Sequence, residues 1–332
     1  MNKNPNLPDL IFDESISFRD RYREVFEYQV LKNPVYRKFA AVFGLNEDSN
    51  PDIHNIPLLP VRAFKKAKLF GDGLNPEIVF KSSGTSKMQR STHYLADAGI
   101  YRKAIRKEFY RHFPRDEFSI LSYTPGYSDN PDSSLIWMMN DLIANDPSGQ
   151  SRFLPLNKKV TQKQVNPIVQ KGNKILLFGA AFGLLDLADR KSIALPDGSV
   201  VVETGGMKTY RREISRQDLR NKLSDRFQVL VDSIYSEYGM CELLSQFYTD
   251  GTEWFGSPHW AHVTIRHADN PSLECRPGEE GKIGVIDLAN LYSCPFILTD
   301  DKGIMDHQGR FKVLGRWNKN DLRGCNFLID RD

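Results

Sequence analysis

Residues 174–188 read KILLFGAAFGLLDLA. The run Lys174–Phe178 carries Ile175, Leu176, Leu177 and Phe178 without a polar break, which fits a buried strand, and a helix start follows the small residues after it. The same alternation extends to either side. Upstream, Phe118–Tyr123 (FSILSY) reads as a buried strand before the turn-rich TPGYSDNPDSS, and a helix is expected around Leu135–Ile143. Downstream, Ser199–Glu203 and Val229–Tyr235 read as strands, with helical spacing over Ser215–Phe227 between them. Strands alternating with helices predict an α/β fold with mainly parallel pairing.

Nearer the N-terminus, Glu77–Lys81 reads as a short strand, and helix is expected from Ala96 through Tyr110. From Ser17 to Leu45 apolar residues recur three and four apart (Phe18, Tyr22, Phe26, Val30), predicting amphipathic helix in two pieces broken at Pro34. A loop, Asn46–Pro60, then leads into Val61–Phe64. The last third changes character. Gly281–Leu288, Phe296–Thr299 and Arg310–Leu314 read as short strands without helices between them, a small antiparallel and barrel-like region. These shifts divide the chain into a helical N-terminal subdomain over residues 1–60, an α/β core over 61–310 and a short C-terminal remnant over 311–332.

A chain of 332 residues with 40% hydrophobic side chains can build a sizeable core without metal or disulfide staples. Its 45 basic and 42 acidic residues leave a formal charge of +3, too small a bias to imply a nucleic-acid partner. The basic run Lys103–Arg111 alternates with apolar positions and reads as the solvated face of a helix. Cysteines at 241, 275, 294 and 325 form neither CxxC pairs nor a disulfide framework, so reduced thiols are expected. The polar N-terminus and the lack of any apolar stretch of membrane-spanning length predict a cytoplasmic protein without a membrane span.

Directly after Val79-Phe80-Lys81 comes Ser82-Ser83-Gly84-Thr85-Ser86, followed by Lys87 and Arg90. Hydroxyls, backbone N–H groups freed by a glycine, and cations gathered in one loop suit phosphate oxygens. The spacing is not that of a Walker loop, and on composition alone a solvent-exposed Ser/Thr turn accounts for it equally well.

Taken in order, SSGTS (82–86), ETGGMK (203–208), YSEYGMCE (235–242), LTDDKG (298–303) and LGRWNKNDLRGC (314–325) resemble the core motifs of the adenylate-forming superfamily, the AMP-binding and acyl-CoA synthetase-like enzymes. Within it the chain is most similar to the acyl-protein synthetase (LuxE-type) family of bacterial fatty-acid reductase complexes, over roughly residues 60 to 325. The resemblance implies the large-domain fold of those enzymes, with layered and mainly parallel sheets. It also implies ATP and Mg2+ as cofactors and a fatty acid or other carboxylate as substrate.

Carried over by position, Ser82, Ser83, Gly84, Thr85, Ser86 and Arg90 would wrap the ATP phosphates, with Lys87 departing from the usual glycine. Gly205 and Gly206 would seat the adenine, with Tyr238 closing its other face beside Gly239. Glu242 would bind the magnesium. Asp301 would grip the ribose hydroxyls, with Asp300 able to share or take that task, and Arg316 would face ribose or phosphate. The resemblance therefore requires Ser82, Gly206, Glu242 and Asp301 to enclose one nucleotide.

Related enzymes continue into a mobile domain beyond the Gly-Arg pair, whereas sixteen residues follow Arg316 here, and Asn318 and Lys319 replace the acidic hinge pair. The acyl acceptor implied by the family is Cys325, beside Arg323; by residue type alone a buried cysteine fits as well. Two rival readings stay open. One is a ligase delivering the acyl group to coenzyme A or an acyl carrier protein, and the other is a non-catalytic acyl or nucleotide sensor. An acyl carrier protein or acyl reductase is a compatible partner, although adenylation itself needs no reduction. Gly179, Ala180, Ala181, Phe182 and Gly183 read as core packing or as the wall of an alkyl tunnel. His259 and Trp260 read as a surface turn or as part of a carboxylate site.

Overall fold

The computed structural model describes residues 6–83, 89–125, 130–156, 161–190, 193–205 and 215–317. The chain divides into two compact units, Pro76–Pro258 and Met1–Asn75 with His259–Asp332.

The Pro76–Pro258 unit is built on a six-stranded sheet ordered Arg152–Phe153, Phe118–Tyr123, Lys174–Ala180, Val200–Thr204, Ile234–Tyr238, Phe247–Tyr248. All neighbours run parallel except the last pair. Within residues 174–188, KILLFGA forms the central strand Lys174–Ala180 and runs straight into the helix Ala181–Arg190. Leu177, Val201 and Ile234 on one face pack with Leu184 and Leu187 of that helix and with Leu219, Leu223 and Phe227 of Arg216–Phe227. Each such side chain, fully removed from water, contributes roughly 1.5–3 kcal/mol. The glycines and alanines of 179–183 sit in this strand-to-helix junction, where Gly179, Ala180 and Ala181 are buried.

Helix starts in this unit are set by short polar side chains. Asp97 caps Ala98–His112 through the Gly99 N–H, and Ser215 caps Arg216–Phe227 through the Asp218 N–H. The basic run lies on Ala98–His112, with Lys103, Lys107 and Arg111 exposed, as its spacing predicts. One strand begins later than its sequence suggests. The expected Val229–Tyr235 is in fact Ile234–Tyr238, preceded by a 3-10 turn at Val231–Ser233. Its apolar start is not buried: Gln228 ends the preceding helix at φ 56°, and Leu230 is then 76% exposed. A small antiparallel pair, Ile78–Lys81 with Thr92–Leu95, completes the unit.

In the other unit Phe18–Lys32 and Pro34–Ala41 are the two helical pieces, and Pro34 opens the second helix, where its missing N–H is harmless. Tyr22, Phe26 and Tyr36 bring their rings to within 5.9, 6.2 and 4.9 Å of the Phe296 ring. Trp260 is fully buried against Phe12 and belongs to this core, whereas His259 beside it is half-buried, 3.4 Å from Glu14. The sheet is antiparallel through Ala261–Arg266, Gly281–Asp287 and Phe296–Met305. The outer edge of Phe296–Met305 pairs with Leu59–Pro60 in parallel and with Phe311–Arg316 antiparallel. Among the described residues it is an open sheet; the expected barrel-like closure is absent because its path ends at Ala261–Arg266.

Candidate active site

In the parallel sheet, Tyr123 pairs with Gly179, Ala180 with Thr204 and Thr204 with Glu237, so four strands end side by side. The loops leaving those ends are the ones that carry TPGYSDNPDSS, TGGMK and GMCE. Ligands in open α/β sheets bind beyond the carboxyl ends of the strands, where no side chain fills the space between diverging loops.

The serine-rich run is the loop of the Ile78–Lys81 and Thr92–Leu95 hairpin. Its base is closed by Ser82 N–H donating to Ser91 O (3.0 Å) and Ser91 N–H donating to the Ser82 hydroxyl (2.9 Å). Arg90 folds over that base, its Nε donating to the Ser82 carbonyl. Lys81 ties the hairpin to the loop after Phe118–Tyr123, with Nζ 2.8 Å from Asp132 Oδ2 and its N–H on Asp132 O at 2.9 Å. A further tie joins it to the YGMCE turn: His93 Nδ1 lies 2.7 Å from the Cys241 carbonyl oxygen. Three motifs far apart in sequence thus meet at one end of one sheet. Gly84, Thr85, Ser86 and Lys87 lie outside the described residues.

Gly205 follows Thr204 at φ 77°, a left-handed conformation that glycine adopts without strain, and Gly206 lies outside the described residues. On one face of the strand pair the Thr204 hydroxyl donates to Glu237. On the other, Glu203 is hydrogen-bonded to Ser236 and lies 3.9 Å from Arg216. Burial pushes both carboxyls up, Glu237 to about 7, and Arg216 works against that rise at Glu203. The Glu237 carboxyl curls beneath the next turn, where a Cβ on Gly239 would stand 2.4 Å from its Oε1. Tyr238 is 9% exposed and packs against the rings of Phe247 and Phe255. Glu242 is a buried carboxylate at the end of that turn. Beside it, burial and the Glu242 charge hold the Cys241 thiol well above its usual range, with Arg90 opposing.

Sequence reading missed His93, Glu203 and Glu237. Glu203 and Glu237 belong to motifs already singled out, but a carboxylate in a motif gives no sign of being buried. His93 is half of a T-H-Y-L alternation whose inward positions are His93 and Leu95, a short period-two signal.

In the other unit Asp300 and Asp301 are consecutive on Phe296–Met305, so their side chains take opposite faces. Asp300 Oδ2 lies 2.7 Å from Arg62 Nε, and Asp301 Oδ1 lies 3.1 Å from Arg316 Nε. Arg316 reaches Asp301 because the two are directly opposed across the strand pair. Two of the residues expected at the ribose are therefore partners of each other. Cys325, Arg323, Asn318 and Lys319 lie outside the described residues.

A profile of the acyl-protein synthetase, LuxE family matches residues 141–332, more than half of the chain. The chain belongs to that family. No curated protein sequence matches it. Solved structures share its fold at low identity. A 2-hydroxyisobutyryl-CoA ligase, in an open conformation with 2-HIB-AMP and CoA, superposes at TM-score 0.63 with 11% identity, over 90% of this chain and 69% of that one. The luciferase-like enzyme of the nonluminescent mealworm Zophobas morio gives 0.53 with 18% identity, over 74% and 58%. ATP-bound MatB from Rhodopseudomonas palustris gives 0.52 with 12% identity, over 72% and 47%. The chain thus spans about half the length of the last two. Its fold is that of the adenylate-forming large domain, and its membership of the LuxE family agrees with the motif order. No helix among the described residues is long and apolar enough to cross a membrane.

Proposed function

We propose that this protein is an ATP-dependent ligase that activates a carboxylate, a long-chain fatty acid in the reading we favour, as acyl-AMP and passes the acyl group to a thiol. The observation that carries this is the meeting of the Ser82 hairpin, the Thr204–Gly205 end and the Gly239–Glu242 turn at the carboxyl end of one parallel sheet, in a chain of this family.

In the first step a carboxylate oxygen attacks the α-phosphorus of ATP and the bond to pyrophosphate breaks. No protein base is needed, since the carboxylate is already ionised at neutral pH. Backbone N–H and hydroxyl groups of the Ser82 loop would hold phosphate oxygens, and Gly205 with Tyr238 would hold the base. Asp301 and Arg316 take the ribose role that the family resemblance assigns. Glu242 fits a magnesium ligand: it is a buried hard oxygen donor, and this ion is commonly held by one or two carboxylates together with substrate phosphates. When bound, such an ion draws negative charge off the phosphates.

In the second step a thiolate opens the mixed anhydride and AMP leaves, giving a thioester. Burial pushes the thiols of Cys241 and Cys294 up, which disfavours either as the attacking thiolate. This supports Cys325 as the acceptor. ATP–pyrophosphate exchange with a panel of fatty acids tests the first step, and no exchange with any carboxylate would reject the ligase. Intact-mass analysis after incubation with ATP, magnesium and fatty acid tests the second.

A further inference from the structure

The strands Ala261–Arg266 and Gly281–Asp287 are joined by HADNPSLECRPGEE, residues 267–280, which lies outside every motif considered above. Its course is set by backbone hydrogen bonds. His267 N–H donates to Leu273 O at 3.0 Å, Cys275 N–H to Ile265 O at 2.8 Å and Gly278 N–H to Met305 O at 2.8 Å. Folding back in this way gathers His267, Cys275 and Glu279, and a ring nitrogen, the sulfur and a carboxylate oxygen all lie within 4.8 Å of one another. Among the described residues no other group of three such donors comes together.

We infer that His267, Cys275 and Glu279 form a binding site for a zinc-class divalent ion, with a fourth position left for water. The donor types select the ion. A thiolate and an imidazole beside one carboxylate suit zinc and its first-row neighbours, whereas magnesium and calcium take oxygen donors alone. With bonds of ~2.3 Å to sulfur and ~2.0 Å to nitrogen and oxygen, tetrahedral ligands stand roughly 3.3–3.7 Å apart. The observed donor atoms lie within 4.8 Å of one another, so reaching those separations moves ligand atoms by about an ångström. His267 is exposed and has room to rotate. Cys275 is the fixed side: its sulfur lies where a Cβ on Gly281 would approach to 2.7 Å, and Glu279 is anchored by Arg276 N–H at 2.9 Å. The neighbouring acids are engaged elsewhere, Glu274 with His54 and Arg266, Glu280 with Lys302. Coordination replaces the Cys275 S–H bond by a sulfur–metal bond and releases the proton to solvent, with no change of oxidation state. The bound ion would clasp the two ends of the turn.

Titration of cobalt(II) alone into the full chain tests this, since its spectrum reports thiolate ligation. The expected result is a near-ultraviolet thiolate-to-cobalt band with tetrahedral visible bands, saturating at one ion per chain and displaced by zinc. Cys275→Ser should abolish the charge-transfer band. His267→Ala and Glu279→Gln, both at exposed positions, should each weaken binding by about tenfold or more while circular dichroism stays that of the parent. Zinc should also slow alkylation of Cys275, mapped by mass spectrometry. A cobalt spectrum without thiolate bands, one that survives Cys275→Ser, or alkylation of Cys275 at the same rate with and without zinc would overturn the site. None of these readouts depends on ligase activity.

Discussion

His93 Nδ1 lies 2.7 Å from the carbonyl oxygen of Cys241, a bond between residues 148 apart in sequence. A carbonyl only accepts, so Nδ1 carries the proton and the imidazole pins the YGMCE turn to the serine-rich hairpin. His93→Ala leaves the Cys241 carbonyl without that donor and opens a cavity where the buried imidazole stood. The expected loss is roughly 2–3 kcal/mol of unfolding free energy by denaturant titration. His93→Phe restores volume without the donor. If both variants keep full stability and parent pyrophosphate exchange, the tie is incidental.

Glu237 gives the stability a sign with pH. Its carboxyl titrates at about 7 in the folded protein against an ordinary glutamate value of 4.5, because burial disfavours the charged form. Below the unfolded value the two states hold the proton equally, and this group neither adds nor removes pH dependence. Between the two values the folded state holds more protons, so stability falls as pH rises, by roughly 3 kcal/mol across the window. Glu237→Gln should flatten that slope and leave the variant the more stable form at alkaline pH. Denaturant midpoints measured from about pH 5 to pH 8 check it. A parent protein whose stability does not fall over that range contradicts the assignment.

The Asp301–Arg316 pair separates folding from ligand binding. The Arg316 side chain is 60% exposed, so the pair contributes at most about 1 kcal/mol and Arg316→Ala should unfold close to the parent. If the two residues hold the nucleotide, Arg316→Ala and Asp301→Asn should each raise KM for ATP in pyrophosphate exchange by about tenfold, the loss of one charge-assisted hydrogen bond. Unchanged KM in both variants would assign the pair to the strand junction alone.

Glu242→Gln keeps shape and removes the charge proposed to hold magnesium. Exchange should fall by about a hundredfold, as when a group stabilising transition-state charge is lost, with partial recovery at raised magnesium. Full activity at limiting magnesium would exclude this carboxylate as the ligand.

Cys325→Ser distinguishes the acyl acceptors. Pyrophosphate exchange should persist while the acyl mass increment on the protein disappears. An increment that survives the substitution, mapped to another residue, would move the acceptor; acylation of a carrier thiol without any self-labelling would favour delivery in trans.

The alternation of elements was legible in the chain because burial of a strand or helix face imposes a local period. KILLF needs two covered faces, and Lys174–Ala180 lies inside the sheet between two parallel neighbours. The break read at Pro34 is where the second helix opens, because proline fits a first helical turn. The order of motifs carried the family, since five short segments in sequence are a one-dimensional pattern. What the chain alone did not yield were relations with no local period. The His93–Cys241 bond, the burial of Glu203 and Glu237 on opposite faces of one strand pair, and the gathering of His267, Cys275 and Glu279 depend on which strands become neighbours. A carboxylate or imidazole has the same letter whether it faces water or a protein interior, and only the packed structure sets the dielectric and the partners that decide its chemistry.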